Sequence, residues 1–460
     1  MNENSQKMMQ QLLDNAHKAM EEFQSYSQEE IDHILFELCA AFQANAVPMA
    51  KMAVEETGMG KYEDKVMKNS GAPAGAWMAV KGQKSVGVIG EDKARRLRFI
   101  AHPKGIVGNV APTTNPNVTT IFVSIFSLKG RNACIISPHP SAKNATLYSV
   151  KILRDTLKKL NAPVDLIQGI EAPSKEMSQL LMASCDVTVA TGGKAMVLAA
   201  NSSGHPSFGV GPGNVQGILD PDFDNYAQFV AEGVVSREFD NGIVCADTQT
   251  FIIPENRCDE IVDLLKKEKA YVTFDKAEID KFRLTMFPDG HMSSDLIGIP
   301  AVKVAEKAGI QIPADTRIIV LDMPADKAGN GDPLYGEKMC PVALLIKTKS
   351  YEESVEVAKK NLLQNGAGHS VSVHTNSAEK ANYASMNLPV CRVLINQPAF
   401  VAANPGLTNG LSPTCSLGCG SWGNNSLSEN LTFKHLMNIA CITYPYPPEE
   451  IPDLQHVFDK

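Results

Sequence analysis

Val187-Thr188-Val189-Ala190-Thr191-Gly192-Gly193 is a short run of apolar and β-branched residues that meets a glycine pair, with a helical pattern resuming at Lys194. A buried strand, a glycine turn and a helix in that order form the repeating unit of a parallel sheet with helices on both faces. The same unit recurs in both directions along the chain. Val86-Gly87-Val88-Ile89, Gly105–Val110 and Ala133-Cys134-Ile135-Ile136 read as strands, the last followed by the turn Ser137-Pro138-His139-Pro140. A helix is expected over about 143–160, and Val164–Gln168 begins the next strand. Ahead of this region two amphipathic helices are expected within 6–57, one with the stripe Met9, Leu13, Ala16, Met20 and the next with Ile31, Leu35, Leu38, Phe42. A second α/β region begins near 236 and runs to about 425. The class is α/β: two Rossmann-like parallel-sheet domains with a cleft between them.

The chain has 460 residues, enough for two or three domains. Its 44% hydrophobic content, 20% charged content and net charge of -8 describe a globular protein without a nucleic-acid surface. The longest apolar run, near Ile121–Leu128, is too short to span a bilayer. The first residues lack the layout of a secretory signal, so a cytoplasmic location is expected. Ten scattered cysteines read as free thiols. Cys415 and Cys419 have no second pair beside them, so no metal site is expected.

One cysteine stands apart. Phe239-Asp240-Asn241-Gly242-Ile243-Val244-Cys245-Ala246-Asp247-Thr248-Gln249 presents Cys245 just after an Asn-Gly turn signal, where a thiol can meet substrate. Asn115, in Pro112-Thr113-Thr114-Asn115-Pro116, is an amide between prolines, suited to stabilising an oxyanion. The simpler alternative is a turn Asn that bonds its own backbone. Thr191-Gly192-Gly193 at a strand-to-helix junction would offer N–H groups to a phosphate, or merely serve turn geometry. In Ser207-Phe208-Gly209-Val210-Gly211-Pro212-Gly213-Asn214 interleaved glycines suggest backbone running close to a ligand or to the thiol; otherwise they simply lead into the strand Val215–Leu219.

These segments, with Leu128-Lys129-Gly130-Arg131-Asn132, Glu337-Lys338-Met339-Cys340-Pro341, Gly366-Ala367-Gly368-His369 and Leu417–Ser426, resemble in order the CoA-acylating branch of the aldehyde dehydrogenase superfamily. The similarity is greatest to acylating succinate-semialdehyde dehydrogenases and to the aldehyde-dehydrogenase half of bifunctional aldehyde/alcohol enzymes. The resemblance implies the aldehyde dehydrogenase fold with a small oligomerisation extension. It implies a nucleotide (NAD or NADP, and coenzyme A) domain over 1–235, a catalytic domain over 236–425, and a segment over 426–460 that returns to the first domain and pairs subunits as a homodimer or homotetramer. By the same resemblance Cys245 is the nucleophile and Asn115 its oxyanion partner. Glu337 would hold the nicotinamide ribose, Ser137 and His139 the adenosine side, Thr191, Gly192 and Gly193 the pyrophosphate. Gly211 joins the cofactor-binding set, and His369 lies beside the active site without an assigned role.

Relatives that hydrolyse their thioester carry a glutamate before the Gly-rich strand, whereas nothing between Asp186 and Asp220 is acidic here. General-base help is worth about 10²–10⁴-fold, so water attack on a thioester is slow without it. A thiol, that of coenzyme A, is expected to take the acyl group; a hydrolytic enzyme giving the free acid is the alternative. Acylating succinate-semialdehyde enzymes carry a lysine soon after the segment matching Glu63-Asp64-Lys65-Val66, and Gly71-Ala72-Pro73 stands there in this chain. A carboxylate-binding lysine is thus expected to be missing, which leaves succinate semialdehyde, sulfoacetaldehyde and acetaldehyde open as substrates. Lys194 reads as a solvated helix-start lysine or a phosphate contact.

Overall fold

The computed structural model describes residues 2–403 and 408–459, apart from the side chain of Lys194. Four helices lead the chain: Glu3–Phe23, Gln28–Ala44, Ala46–Thr57 and Tyr62–Val80. Ser27 and Glu30 close a reciprocal capping box at the start of the second. Within 6–57 there are therefore three helices, not two. Pro48 explains the extra break: lacking an N–H and crowding the carbonyl four residues back, it is tolerated only in a first turn, so the helix restarts at Ala46.

The first sheet has five parallel strands in the order Ile167–Gly169, Ala133–Ser137, Ile106–Val110, Val187–Thr191, Ser207–Val210. Ile106–Val110, Ala133–Ser137 and the first four residues of Val187–Thr191 are buried, as expected of a sheet covered on both faces. From Ile106–Val110 the chain winds outward to one edge, then returns to lay Val187–Thr191 on the other side. Strand order reverses between these two, and ligands bind beyond the carboxyl ends of strands at such a point. Residues 111–115 and 192–193 lie there.

The second sheet has seven parallel strands in the order Ala270–Thr273, Ile318–Asp322, Val342–Thr348, Thr248–Pro254, Val215–Leu219, Gly368–His374, Val390–Ile395. Val215–Leu219 pairs with Thr248–Pro254 in this sheet, so the second sheet begins about twenty residues ahead of a 235/236 boundary. Gly211-Pro212-Gly213-Asn214 joins one sheet to the other, and its first two residues line the cleft. A third, antiparallel sheet pairs Gly87–Asp92 with Leu97–Pro103, and Met437–Thr443 from the far end of the chain completes it. Among the described residues no helix is long and apolar enough to cross a membrane.

Candidate active site

A cavity of about 580 Å³ opens at the switch point of the first sheet and reaches the turn that carries Cys245. It brings together Asn115, His139, Thr191, Gly192, Gly193, Gly211, Cys245 and Glu337. Ser137 is the exception. Its side chain is fully buried in the strand and its hydroxyl pairs with that of Ser178 at 2.9 Å, so the wall residue Ser178 stands between it and the cavity.

The turn before Cys245 is unusual backbone. Asp240, Asn241 and Gly242 are consecutive residues with positive φ, at 50°, 54° and 70°. Left-handed backbone is costly for residues other than glycine and persists where surroundings over-determine it. Here they do. Asn241 Nδ2 donates to Gly298 O at 2.8 Å, and the fully buried Arg237 guanidinium donates to Gly242 O at 3.1 Å. Arg237 also donates to Cys340 O, which ties the turn to the loop carrying Glu337. Asp247 Oδ2 accepts from Val244 N–H at 3.1 Å, bracing the residues around the thiol. Gly213 lies so close that a Cβ there would stand 1.8 Å from the Cys245 carbonyl oxygen.

Burial raises the Cys245 thiol pKa, and the Glu337 carboxylate raises it further. Glu337 is itself pushed up to about 7 by burial, offset by the N–H of Gly213, which donates to Oε1 at 2.9 Å. It is the one carboxylate among the described residues that lines the cavity. The backbone N–H of Cys245 has no protein acceptor among the described residues.

Asn115 caps the helix Pro116–Lys129 by position only: its side chain makes no capping bond. Its Oδ1 instead accepts from Lys68 Nζ at 2.9 Å, and its Nδ2 has no protein partner among the described residues. A free amide donor at a helix N-terminus, on a cavity shared with a thiol, is suited to a developing negative charge. Thr191 Oγ1 is buried without a partner, and the space beside Gly193 is open. With the N–H groups that begin the helix Lys194–Asn201, these atoms fit a dinucleotide pyrophosphate.

A thiol, an unpartnered amide donor and a carboxylate thus share one cavity between the two sheets. The aldehyde dehydrogenase family model matches residues 1–285. The chain is 41% identical to the succinate-semialdehyde dehydrogenase (acetylating) of Clostridium kluyveri, over 97% of this chain and 98% of that protein. It belongs to the aldehyde dehydrogenase family. A bifunctional aldehyde-alcohol dehydrogenase of Escherichia coli is 38% identical over 93% of this chain, which spans 48% of that longer protein. An acetylating aldehyde dehydrogenase from Geobacillus thermoglucosidasius superposes with a TM-score of 0.93 at 34% identity, covering 98% of both chains.

One residue of this aldehyde dehydrogenase site, Lys68, is not apparent from the sequence. Lys68 lines the cavity three residues ahead of Gly71, so a lysine is present after the Glu63–Val66 segment where none was expected. Its ammonium, with that of Lys65 at 3.0 Å, contacts Asp240 Oδ2. The pair of lysines holds the buried Asp240 carboxyl below the usual range. The Glu63-Asp64-Lys65-Val66 segment was the only signal. His369 is fully buried, with both ring nitrogens unpartnered, and burial lowers its pKa to about 3. It does not line the cavity.

Proposed function

We propose that the protein is a CoA-acylating aldehyde dehydrogenase that converts an aldehyde, coenzyme A and NAD(P)+ reversibly to an acyl-CoA and NAD(P)H. The observation that carries the reading is one cavity holding the Cys245 thiol and the unpartnered Asn115 amide, with no acidic residue on the Val187–Leu219 stretch.

Cys245, as thiolate, attacks the aldehyde carbon. Asn115 Nδ2–H and the Cys245 N–H donate to the oxygen as it becomes an alkoxide, a service worth about 10²–10³-fold in kcat per donor. When bound, the nicotinamide would supply the hydride acceptor. Glu337 would hold the ribose, Thr191–Gly193 the pyrophosphate and His139 the adenosine end. Loss of hydride leaves an acyl thioester on Cys245, and the coenzyme A thiol displaces it. Exchange between thioesters is close to balanced, so the enzyme also reduces an acyl-CoA to its aldehyde. Glu337 lines the cavity, yet its Oε1 is engaged by Gly213, which disfavours a role as base for water.

The substrate is a short aldehyde. Succinate semialdehyde is the first to try on the strength of the Clostridium kluyveri relative, followed by sulfoacetaldehyde and acetaldehyde. Each is assayed with NAD and with NADP. The protein works in the cytoplasm as a homodimer or homotetramer. The three-stranded sheet supports pairing, because both faces of Met437–Thr443 are exposed beyond its first residue. A sheet left open on both faces gains little from burial unless a second copy covers it. Replacing Cys245 by Ala is expected to abolish acyl transfer in both directions. CoA-dependent turnover by that variant would reject the assignment.

A further inference from the structure

We infer that Lys68 is a positioning residue that sets which end of the Asn115 amide faces the reacting carbonyl. This rests on the acyl-transfer reading above.

The two donors of the oxyanion site come from different sheets. Asn115 follows a strand of the first, and Cys245 precedes a strand of the second. Lys68, on the helix Tyr62–Val80, spans them: Nζ donates to Asn115 Oδ1 at 2.9 Å and to Asp240 Oδ2, five residues before the nucleophile. An ammonium has three donors and no acceptor. Only the amide oxygen can therefore face it, and the NH2 group is turned the other way. Nothing else orients that amide, since the side chain makes no helix cap and Nδ2 has no protein partner among the described residues.

The ammonium is itself anchored. Asp240 is fully buried, its N–H donates to Asp64 Oδ2 at 2.8 Å, and its Oδ1 accepts from Lys61 N–H at 2.8 Å. Lys65 also reaches Asp240 Oδ2, and its other contact, Thr114 O at 3.4 Å, is backbone, not the amide. The Asp240–Gly242 turn thus positions Cys245 directly and Asn115 through Lys68. Lys65 would keep the Asp240 carboxylate paired in a Lys68 variant, so the fold is expected to survive Lys68→Met.

The test is a cycle of Lys68→Met, Asn115→Ala and the double variant. It is read by the burst of p-nitrophenolate released when p-nitrophenyl acetate acetylates Cys245. That reaction passes through an oxyanion but needs neither nucleotide nor coenzyme A, so it remains informative if the aldehyde reading fails. Lys68→Met is expected to slow the burst between about 10- and 100-fold. The double variant should be no slower than Asn115→Ala, because Lys68 acts through that amide. Alkylation of Cys245 by iodoacetamide, which forms no oxyanion, should stay within about twofold of wild type. In turnover, kcat should fall alike for succinate semialdehyde and acetaldehyde with KM little changed. An unaltered burst, losses that multiply in the double variant, or an alkylation rate that falls with the burst would overturn the inference. So would a KM rise confined to succinate semialdehyde, which would make Lys68 a reader of the substrate carboxylate.

Discussion

Gly213→Ala probes the tightest contact in the site. The new Cβ would meet the Cys245 carbonyl oxygen at 1.8 Å and its Cα at 3.2 Å, where carbon contacts ordinarily relax to about 3.5–4.0 Å. Backbone must move by more than about 1 Å to relieve that. The Gly213 N–H also donates to Glu337 Oε1, so one displacement disturbs both the nucleophile and the carboxylate beside it. Overpacking of this kind costs about 1–3 kcal/mol, a fall of several degrees in Tm. Misplacing a reacting group by about 1 Å costs on the order of 10²-fold in rate. The variant should remain folded with kcat down about 100-fold, measured by reduced-nicotinamide absorbance beside a thermal melt. A Gly213→Ala enzyme with wild-type kcat would refute the claim that this backbone contact sets the position of Cys245.

Glu337→Gln removes a negative charge facing the thiol. Glu337 is ionised above about pH 7, and ionised it opposes thiolate formation, so the neutral variant should shift Cys245 alkylation to lower pH. Rates of iodoacetamide labelling from pH 6 to 10, read at the Cys245 peptide, check the sign; a shift to higher pH would instead identify Glu337 as the group that accepts the thiol proton. Ile442→Glu, on the uncovered strand where Ile442 is 41% exposed, should reduce the mass measured by light scattering toward that of one chain. An unchanged mass would contradict pairing through this strand.

Much of the architecture was legible because it is written locally. Val187–Gly193 carries its strand, turn and helix start in seven consecutive residues, and Asn241-Gly242 announces the left-handed turn before Cys245. What was not legible depends on partners distant in sequence. Lys68, Asn115 and Asp240 meet only because a leading helix crosses the cleft, and spacing along the chain does not show that Lys68 faces the cavity. Ser137 follows a recognisable strand, yet Ser178 from another helix decides that its hydroxyl faces inward. Val215–Leu219 reads equally well as the last strand of one sheet or an inner strand of the next, because a fully buried parallel strand looks alike in either.

In the proposed reaction, Cys245 hands its acyl group to a thiol. The direct measurement is quantitative product analysis of the wild-type enzyme with succinate semialdehyde and NAD or NADP, with and without coenzyme A. With coenzyme A, one acyl-CoA should form for each reduced nicotinamide. Without it, release should stop near one nicotinamide per active site, leaving the acyl group on the Cys245 peptide by mass spectrometry. Free acid formed at the same rate whether or not coenzyme A is present would contradict acyl transfer to a thiol.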